Sequence, residues 1–299
     1  MVIRKKWLII AGLVIVVELY LLLFTDTIAM ILATGMYLAN RSDCPFQQTL
    51  SAPDWQRRYT DTTKRIYHMS RLESTEGDLR LWSTPQGRFW MPKESVPLIF
   101  GVLAEQELRV YGTGPTGVRP GDVVIDCGAD VGTFTRLALN MGASQVIAIE
   151  PAKQKQPCLQ RNFRSEIASR RVIICAKGVW DKEEILALHG GVTIPSDQVQ
   201  PNDEAIQLTT IDNLVTELNL ERVNFIKMDI EGAESRALKG AVRTVSRFKP
   251  RLSISTEHSN VQFKEVLGTI RAIAPGTLEE CGPCANLGGR IVPHVLYFH

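Results

Sequence analysis

Six cysteines in 299 residues, at positions 44, 127, 158, 175, 281 and 284, are too few for a disulfide-built scaffold. Cys127 and Cys175 fall in apolar runs, where a free thiol behaves as a small hydrophobe, and this sparing use points to a reducing compartment. An excess of one charge is also missing. Lys and Arg number 34 against 32 for Asp and Glu, and no lysine-rich tail compensates, so no nucleic-acid partner is expected. No internal repeat or low-complexity tract interrupts the chain. With 44% apolar and 22% charged residues, wholesale disorder, collagen and coiled coil are excluded, and the length suits one large or two ordinary domains.

What is present is unevenly spread. Residues 7–24 carry one charge, Glu18, in eighteen positions. As a helix at ~1.5 Å per residue this run reaches ~27 Å, close to the ~30 Å of a bilayer core. A second apolar run at 28–39 would span only ~18 Å and cannot cross alone. Arg4, Lys5 and Lys6 precede the first run, which is longer than the ~7–15 residues of a signal peptide and ends without an A-x-A site. Residues 1–40 therefore read as an uncleaved anchor, with a transmembrane helix over about 7–24 and a single-pass membrane location. Arg41, Arg57 and Arg58 on the far side weaken the positive-inside signal.

Residues 41–120 read as an N-terminal cap. It holds a surface-helix candidate at 61–74 and a β-hairpin at 79–92 around Pro85-Gln86-Gly87. From 121 to 299 apolar strands alternate with helical runs: strands at 123–128, 145–151, 171–180, 223–232 and 251–258, helices at 133–143, 158–169 and 233–248. The residues near 278 and 291–299 suit a closing antiparallel pair. This alternation implies an α/β fold, a largely parallel sheet with helices on both faces. The Cys281-Gly-Pro-Cys284 stretch has thioredoxin-type spacing, but a glycine-rich segment follows where a redox motif needs a helix, so it reads as a tight turn.

The chemistry concentrates at the strand ends. Asp126-Cys-Gly128-Ala129-Asp130-Val-Gly132 joins a buried strand to a helix, where glycines let backbone approach a ligand and the helix start offers free N–H groups. Glu150 closes the next strand, 24 residues after Asp126, where an acid accepts ribose hydroxyls. A dinucleotide fingerprint and a G-K-[ST] phosphate loop are both absent. Two acids in the loop suit a cationic ligand, and S-adenosylmethionine brings a ribose, an amine and a sulfonium.

The stretches VIDCGADVGTFT, AIEP and FIKMDIEGAE resemble the FkbM family of S-adenosylmethionine-dependent methyltransferases over roughly residues 80–260. The resemblance implies a class I methyltransferase (Rossmann-like) fold of seven strands, the last antiparallel, and O-methylation of sugars or natural products. It departs at Asp130, where the family usually has Asn. The cofactor set expected is Asp126, Gly128, Ala129, Asp130, Gly132, Thr135, Glu150, Pro151, Lys177 and Asp229. Lys177 falls after the third strand, where adenine normally lies.

Methyl transfer needs the acceptor aligned and its proton taken. Lys227, Asp229 and Glu231 alternate, so on a strand they share a face. Lys227 reads as a structural partner. Asp229, Glu231 and His258 are the catalytic candidates, with His258 expected to titrate near neutral pH. Asp229, Glu231, Glu257 and His258 are also hard-metal donors, but nothing in their spacing requires an ion and none is expected. The function expected is O-methylation of a small-molecule, glycan or lipid-linked acceptor beside the membrane. The catalytic domain would face the cytoplasm, where the cofactor is. The alternative is a catalytically inactive nucleoside-binding scaffold or sensor.

Overall fold

A computed structural model describes residues 27–189, 192–194, 204–258 and 262–299. Helix α1, described over 27–38, leads to α2 (Phe46–Met69), a three-stranded antiparallel sheet β1 (Arg71–Glu76), β2 (Leu79–Thr84) and β3 (Gly87–Pro92), and α3 (Val96–Glu107). The hairpin expected at 79–92 is therefore present, with β1 added as a third strand. That strand takes residues 71–74 of the surface-helix candidate, whose first part belongs to α2.

The α/β part follows as β4 (Val123–Cys127), α4 (Thr133–Asn140), β5 (Gln145–Ile149), α5 (Gln156–Asn162), α6 (Arg164–Ala168) and β6 (Val172–Cys175). Next, β7 (Gly178–Val179), β8 (Glu184–His189), β9 (Val192–Ile194) and β10 (Glu204–Thr209) form a separate sheet in the order β7-β10-β8-β9. The chain then runs through α7 (Ile211–Glu217), β11 (Phe225–Met228), α8 (Glu234–Lys239), α9 (Val242–Phe248), β12 (Arg251–Ser255) and α10 (Gln262–Ile273). It ends with β13 (Glu279–Cys281), β14 (Cys284–Leu287), β15 (Arg290–Pro293) and β16 (Val295–Phe298).

The central sheet has seven strands in the order β13-β16-β12-β11-β4-β5-β6. Neighbours from β12 to β6 pair in parallel, and β16 runs antiparallel to both β12 and β13. This is the α/β sheet with one reversed strand that the resemblance implied. Its central strands are apolar throughout because both faces are covered. Along β4, Val123, Ile125 and Cys127 join one buried cluster with Ile226, Leu238 and Ile254, while Val124 joins another with Phe134, Leu159 and Phe225. The helix expected over 233–248 is divided into α8 and α9. Gly240, at the break, lies so close to the chain that a Cβ would sit 2.0 Å from the Trp180 carbonyl oxygen.

Two expectations are corrected. Cys44 and Cys284 form a disulfide across 240 residues, with Cα atoms 6.6 Å apart, against the expectation that the cysteines are kept reduced; Cys127, Cys158, Cys175 and Cys281 are free. Gly282 and Pro283 do make a tight link between β13 and β14, but the partner of Cys284 is Cys44. The bridge fixes the approach to α2 against the C-terminal hairpin, where Arg290 also grips Asp43 through two contacts of 2.5 and 2.7 Å.

The membrane architecture is the second correction. Among the described residues no helix is long and apolar enough to cross a membrane, which overturns the single-pass location and the orientation argued from it. The run at 7–24 lies outside the described residues. The run at 28–39 is α1, which packs through Ala33 and Met36 onto Cys44, Cys284 and Ile291.

Candidate active site

The turn between β4 and α4 is shaped by left-handed backbone at Gly128 (φ +77°), Asp130 (φ +51°) and Gly132 (φ +93°). Neither glycine has room for a side chain. A Cβ on Gly128 would lie 1.9 Å from the Asp229 carbonyl oxygen, and one on Gly132 would lie 2.1 Å from the Phe163 ring. The turn is tied to the end of β5 by the amides of Gly128 and Ala129, both donating to the Ile149 carbonyl at 3.0 Å.

Glu150 is held by main chain. Its Oε2 accepts from the Asp130 amide and its Oε1 from the Ala152 amide, each at 3.0 Å. A carboxylate oxygen accepts more than one hydrogen bond, so this geometry leaves lone pairs for a diol. Burial raises the Glu150 pKa, against the charge of Lys155 and the two amides. The Lys155 ammonium lies 2.8 Å from Asp130 Oδ1 and 3.9 Å from Glu150 Oε2. That contact accommodates an acid at 130 where the family usually has Asn, because Lys155 neutralises it.

Beneath the turn, Asp126 is fully buried and accepts from the Thr135 hydroxyl at 2.6 Å. Its other oxygen lies 3.4 Å from the ammonium of Lys227, itself 3.9 Å from Asp229. Lys227 also donates to the Gly128 carbonyl at 2.9 Å. An ammonium this deeply buried requires such partners, so Lys227 is the structural cation the sequence suggested. Asp126 and Thr135 support the turn from beneath.

Beyond β11 a second group converges. Asp229 Oδ2 accepts from the Tyr111 hydroxyl at 2.7 Å, and Oδ1 lies 2.9 Å from His258 Nε2. Burial alone would raise the Asp229 pKa, but Lys227, His258 and Tyr111 together hold it well below the usual carboxylate range. His258 also sees Glu231 at 3.4 Å from Nδ1 and Glu234 at 3.6 Å from Nε2. Burial lowers its pKa, yet the Asp229 hydrogen bond and the surrounding carboxylates win and lift it to about 9. His258 is thus charged at neutral pH, not near its titration point as the sequence suggested. Glu231 lies past the strand end at φ +58° and is exposed, so it reaches His258 from a turn and does not share the face of Lys227 and Asp229.

The structure therefore assembles Gly128, Ala129, Asp130, Gly132 and Glu150 in one group, and Asp229, Glu231 and His258 in another. Pro151 packs toward Gly178 of β7, close enough for a Cβ there to meet it at 3.8 Å. Lys177 turns away, its ammonium 3.1 Å from Glu217 of α7. Tyr111, Lys155 and Glu234 were missed. Tyr111 sits in the Gly- and Pro-rich stretch before β4 and meets Asp229 only across 118 residues of sequence. Glu234 accepts from the Ile230 amide at 2.8 Å and contacts Gln262, closing the far side of the group.

A family model for the methyltransferase FkbM domain matches residues 126–282, which include Asp126, the glycine turn, Glu150, Asp229 and His258. No curated protein matches the chain. Among solved structures, an FkbM methyltransferase from Methylobacillus flagellatus is 20% identical with a TM-score of 0.52, over 88% of this chain and 57% of that one. The present chain thus spans little more than half of that relative, and the likeness supports the fold. Aeropyrum pernix fibrillarin, solved with bound S-adenosyl-L-methionine, is 14% identical over 77% of this chain and 97% of its own, with a TM-score of 0.40. The agreement of the family model with the strand–glycine turn–helix and the acids at the strand ends leads to one conclusion: the chain belongs to the FkbM family of S-adenosylmethionine-dependent methyltransferases.

Proposed function

We propose that this chain methylates a hydroxyl oxygen of a small-molecule acceptor, a sugar, a lipid-linked glycan or a natural product. The observation that carries the reading is the packing of the two groups on each other. Gly128 of the cofactor turn meets the backbone of Asp229 with no space for a Cβ, and Lys227 bridges the two groups from below. A ligand cradled on the turn and an acceptor held by Asp229 and His258 would share one site.

The residues present fit S-adenosylmethionine. The glycines form a cradle that a side chain would fill, and Glu150 offers oxygens for the ribose hydroxyls. When bound, the cofactor supplies an activated methyl group on a sulfonium. The chain's own work lies with the acceptor. Asp229 holds His258 through Nε2, so Nδ1 is the atom that takes the hydroxyl proton once His258 is neutral and the exposed Glu231 carboxylate, 3.4 Å away, has given way to the acceptor. Asp229 itself stays ionised and orients the imidazole. Residues 41–120 form the cap on this domain, and Tyr111 just inside it fixes the second oxygen of Asp229.

The test is methyl transfer from radiolabelled S-adenosylmethionine to hydroxyl-rich metabolite and glycan extracts. The wild-type chain should label an acceptor, and Asp229→Asn should lose about 10²–10⁴-fold in rate while still binding S-adenosylhomocysteine. Tight S-adenosylhomocysteine binding with no transfer to any hydroxylated acceptor would contradict the reading.

A further inference from the structure

A second histidine–carboxylate group lies next to the first and has no part in the chemistry above. Glu105 of α3, Glu257 just past β12 and His294 between β15 and β16 bring donor atoms within 4.8 Å of one another. Glu105 is 9% exposed and His294 is 5% exposed. Among the described residues neither carboxylate makes an ion pair with a lysine or arginine; each pairs only with His294. Two carboxylates therefore share one imidazole in a largely buried place.

Only one of the two imidazole nitrogens is held. Its Nδ1 lies 2.9 Å from Glu257 Oε2, while Nε2 is buried, has no hydrogen-bond partner among the described residues and faces Glu105 Oε1 at 3.8 Å. That separation is too long for a hydrogen bond. It suits two ligands flanking one ion, because bonds of ~2.1 Å allow donors up to ~4.2 Å apart. Glu257 on Nδ1 fixes the tautomer that presents the Nε2 lone pair, the carboxylate–histidine–metal arrangement of many metalloproteins. The backbone is rigid here. The His294 amide donates to the Pro283 carbonyl at 2.8 Å, and its carbonyl accepts from the Thr256 amide at 2.9 Å. The edge of Trp55 covers the ring, with centroids 6.1 Å apart.

We infer that Glu105 and His294 Nε2 bind a first-row divalent cation, Mn²⁺ or Zn²⁺, with Glu257 holding the imidazole in register. A carboxylate and an imidazole form a mixed hard and borderline set that suits these ions better than Ca²⁺. The site lies one residue from His258 in sequence but uses none of Asp229, Glu231, Glu234 or His258.

The full chain, stripped by chelator and dialysed, is titrated with MnCl₂ and ZnCl₂ by calorimetry, with S-adenosylhomocysteine binding measured separately on the same samples. At least one ion should bind at one equivalent and raise Tm. Glu105→Gln and His294→Gln should each weaken that binding tenfold or more. Glu257→Gln, at the more exposed position, should weaken it about 10–100-fold, as expected for an outer partner of a metal-bound histidine, and it guards against a ligand variant that fails to fold. His258→Asn should leave metal binding unchanged. The inference is overturned if neither ion binds, if Glu105→Gln and His294→Gln bind as the wild type does, or if His258→Asn abolishes binding. Because the ion is titrated without cofactor, failure here is distinguishable from failure of the methyltransferase reading.

Discussion

Two carboxylates stand on either side of β4, at the ends of neighbouring strands, and they are held in opposite ways. Glu150, after β5, is fixed by two backbone amides, and burial raises its pKa. Asp229, after β11, is fixed by side chains from Tyr111, His258 and Lys227, and it stays ionised despite burial. A carboxylate held by main chain has a shape that few substitutions elsewhere can alter, which suits recognition of a constant group such as a ribose. One held by side chains is a network, open to tuning of charge and proton position, which suits the orienting of an acceptor.

That contrast can be broken most sharply at Lys227, the buried cation beneath both groups. Lys227→Met would leave Asp126 and Asp229 without their ammonium and should lower stability by about 3–5 kcal/mol, the usual cost of removing one partner of a buried pair. Chemical denaturation would measure this, and a loss below ~1 kcal/mol, the range of surface pairs, would refute the bridging role. Next, Asp229→Asn should separate the groups functionally, with transfer falling and S-adenosylhomocysteine binding kept.

The pH profile sharpens the comparison further. Because His258 is lifted to about 9, the neutral form that the proposed base role requires is scarce at pH 7. Below that pKa, kcat/KM should climb about tenfold per pH unit and then level off near pH 9. A flat profile from pH 6.5 to 9 would remove His258 as the base. The stability effect has a definite sign. The folded pKa of His258 lies above its ordinary 6.5, so its contribution is fully present below pH 6.5 and is lost as pH rises through about 9. Denaturation of His258→Asn should show a shallower decline across that window than the wild type. The smallest effect is expected from Tyr111→Phe, which removes one hydrogen bond to Asp229. It should cost about 1–3 kcal/mol in transfer, the scale of a hydrogen bond to a charged group, with no change in cofactor binding.

The central sheet was legible because fully buried parallel strands are written as unbroken apolar runs. The strands expected at 123–128, 145–151 and 251–258 correspond to β4, β5 and β12 within a few residues. The glycine turn and Glu150 were legible because their spacing is local. What stayed hidden depends on distant convergence. Tyr111 meets Asp229 and Cys44 meets Cys284 only after the chain has folded, and no periodicity records such pairs. The break between α8 and α9 follows from Trp180 approaching Gly240, also a tertiary fact. The membrane anchor is a different case: the hydropathy run at 7–24 lies outside the described residues, and among those described no helix can span a bilayer.

The most direct test of the account is calorimetric titration of the full chain with S-adenosylhomocysteine, beside Glu150→Ala. The account predicts that the wild type binds and that the substitution weakens binding tenfold or more, ~1.4 kcal/mol, because the two oxygens held by Asp130 and Ala152 are lost. A folded wild-type chain that binds no S-adenosylhomocysteine, or a variant that binds as tightly as the wild type, would contradict it.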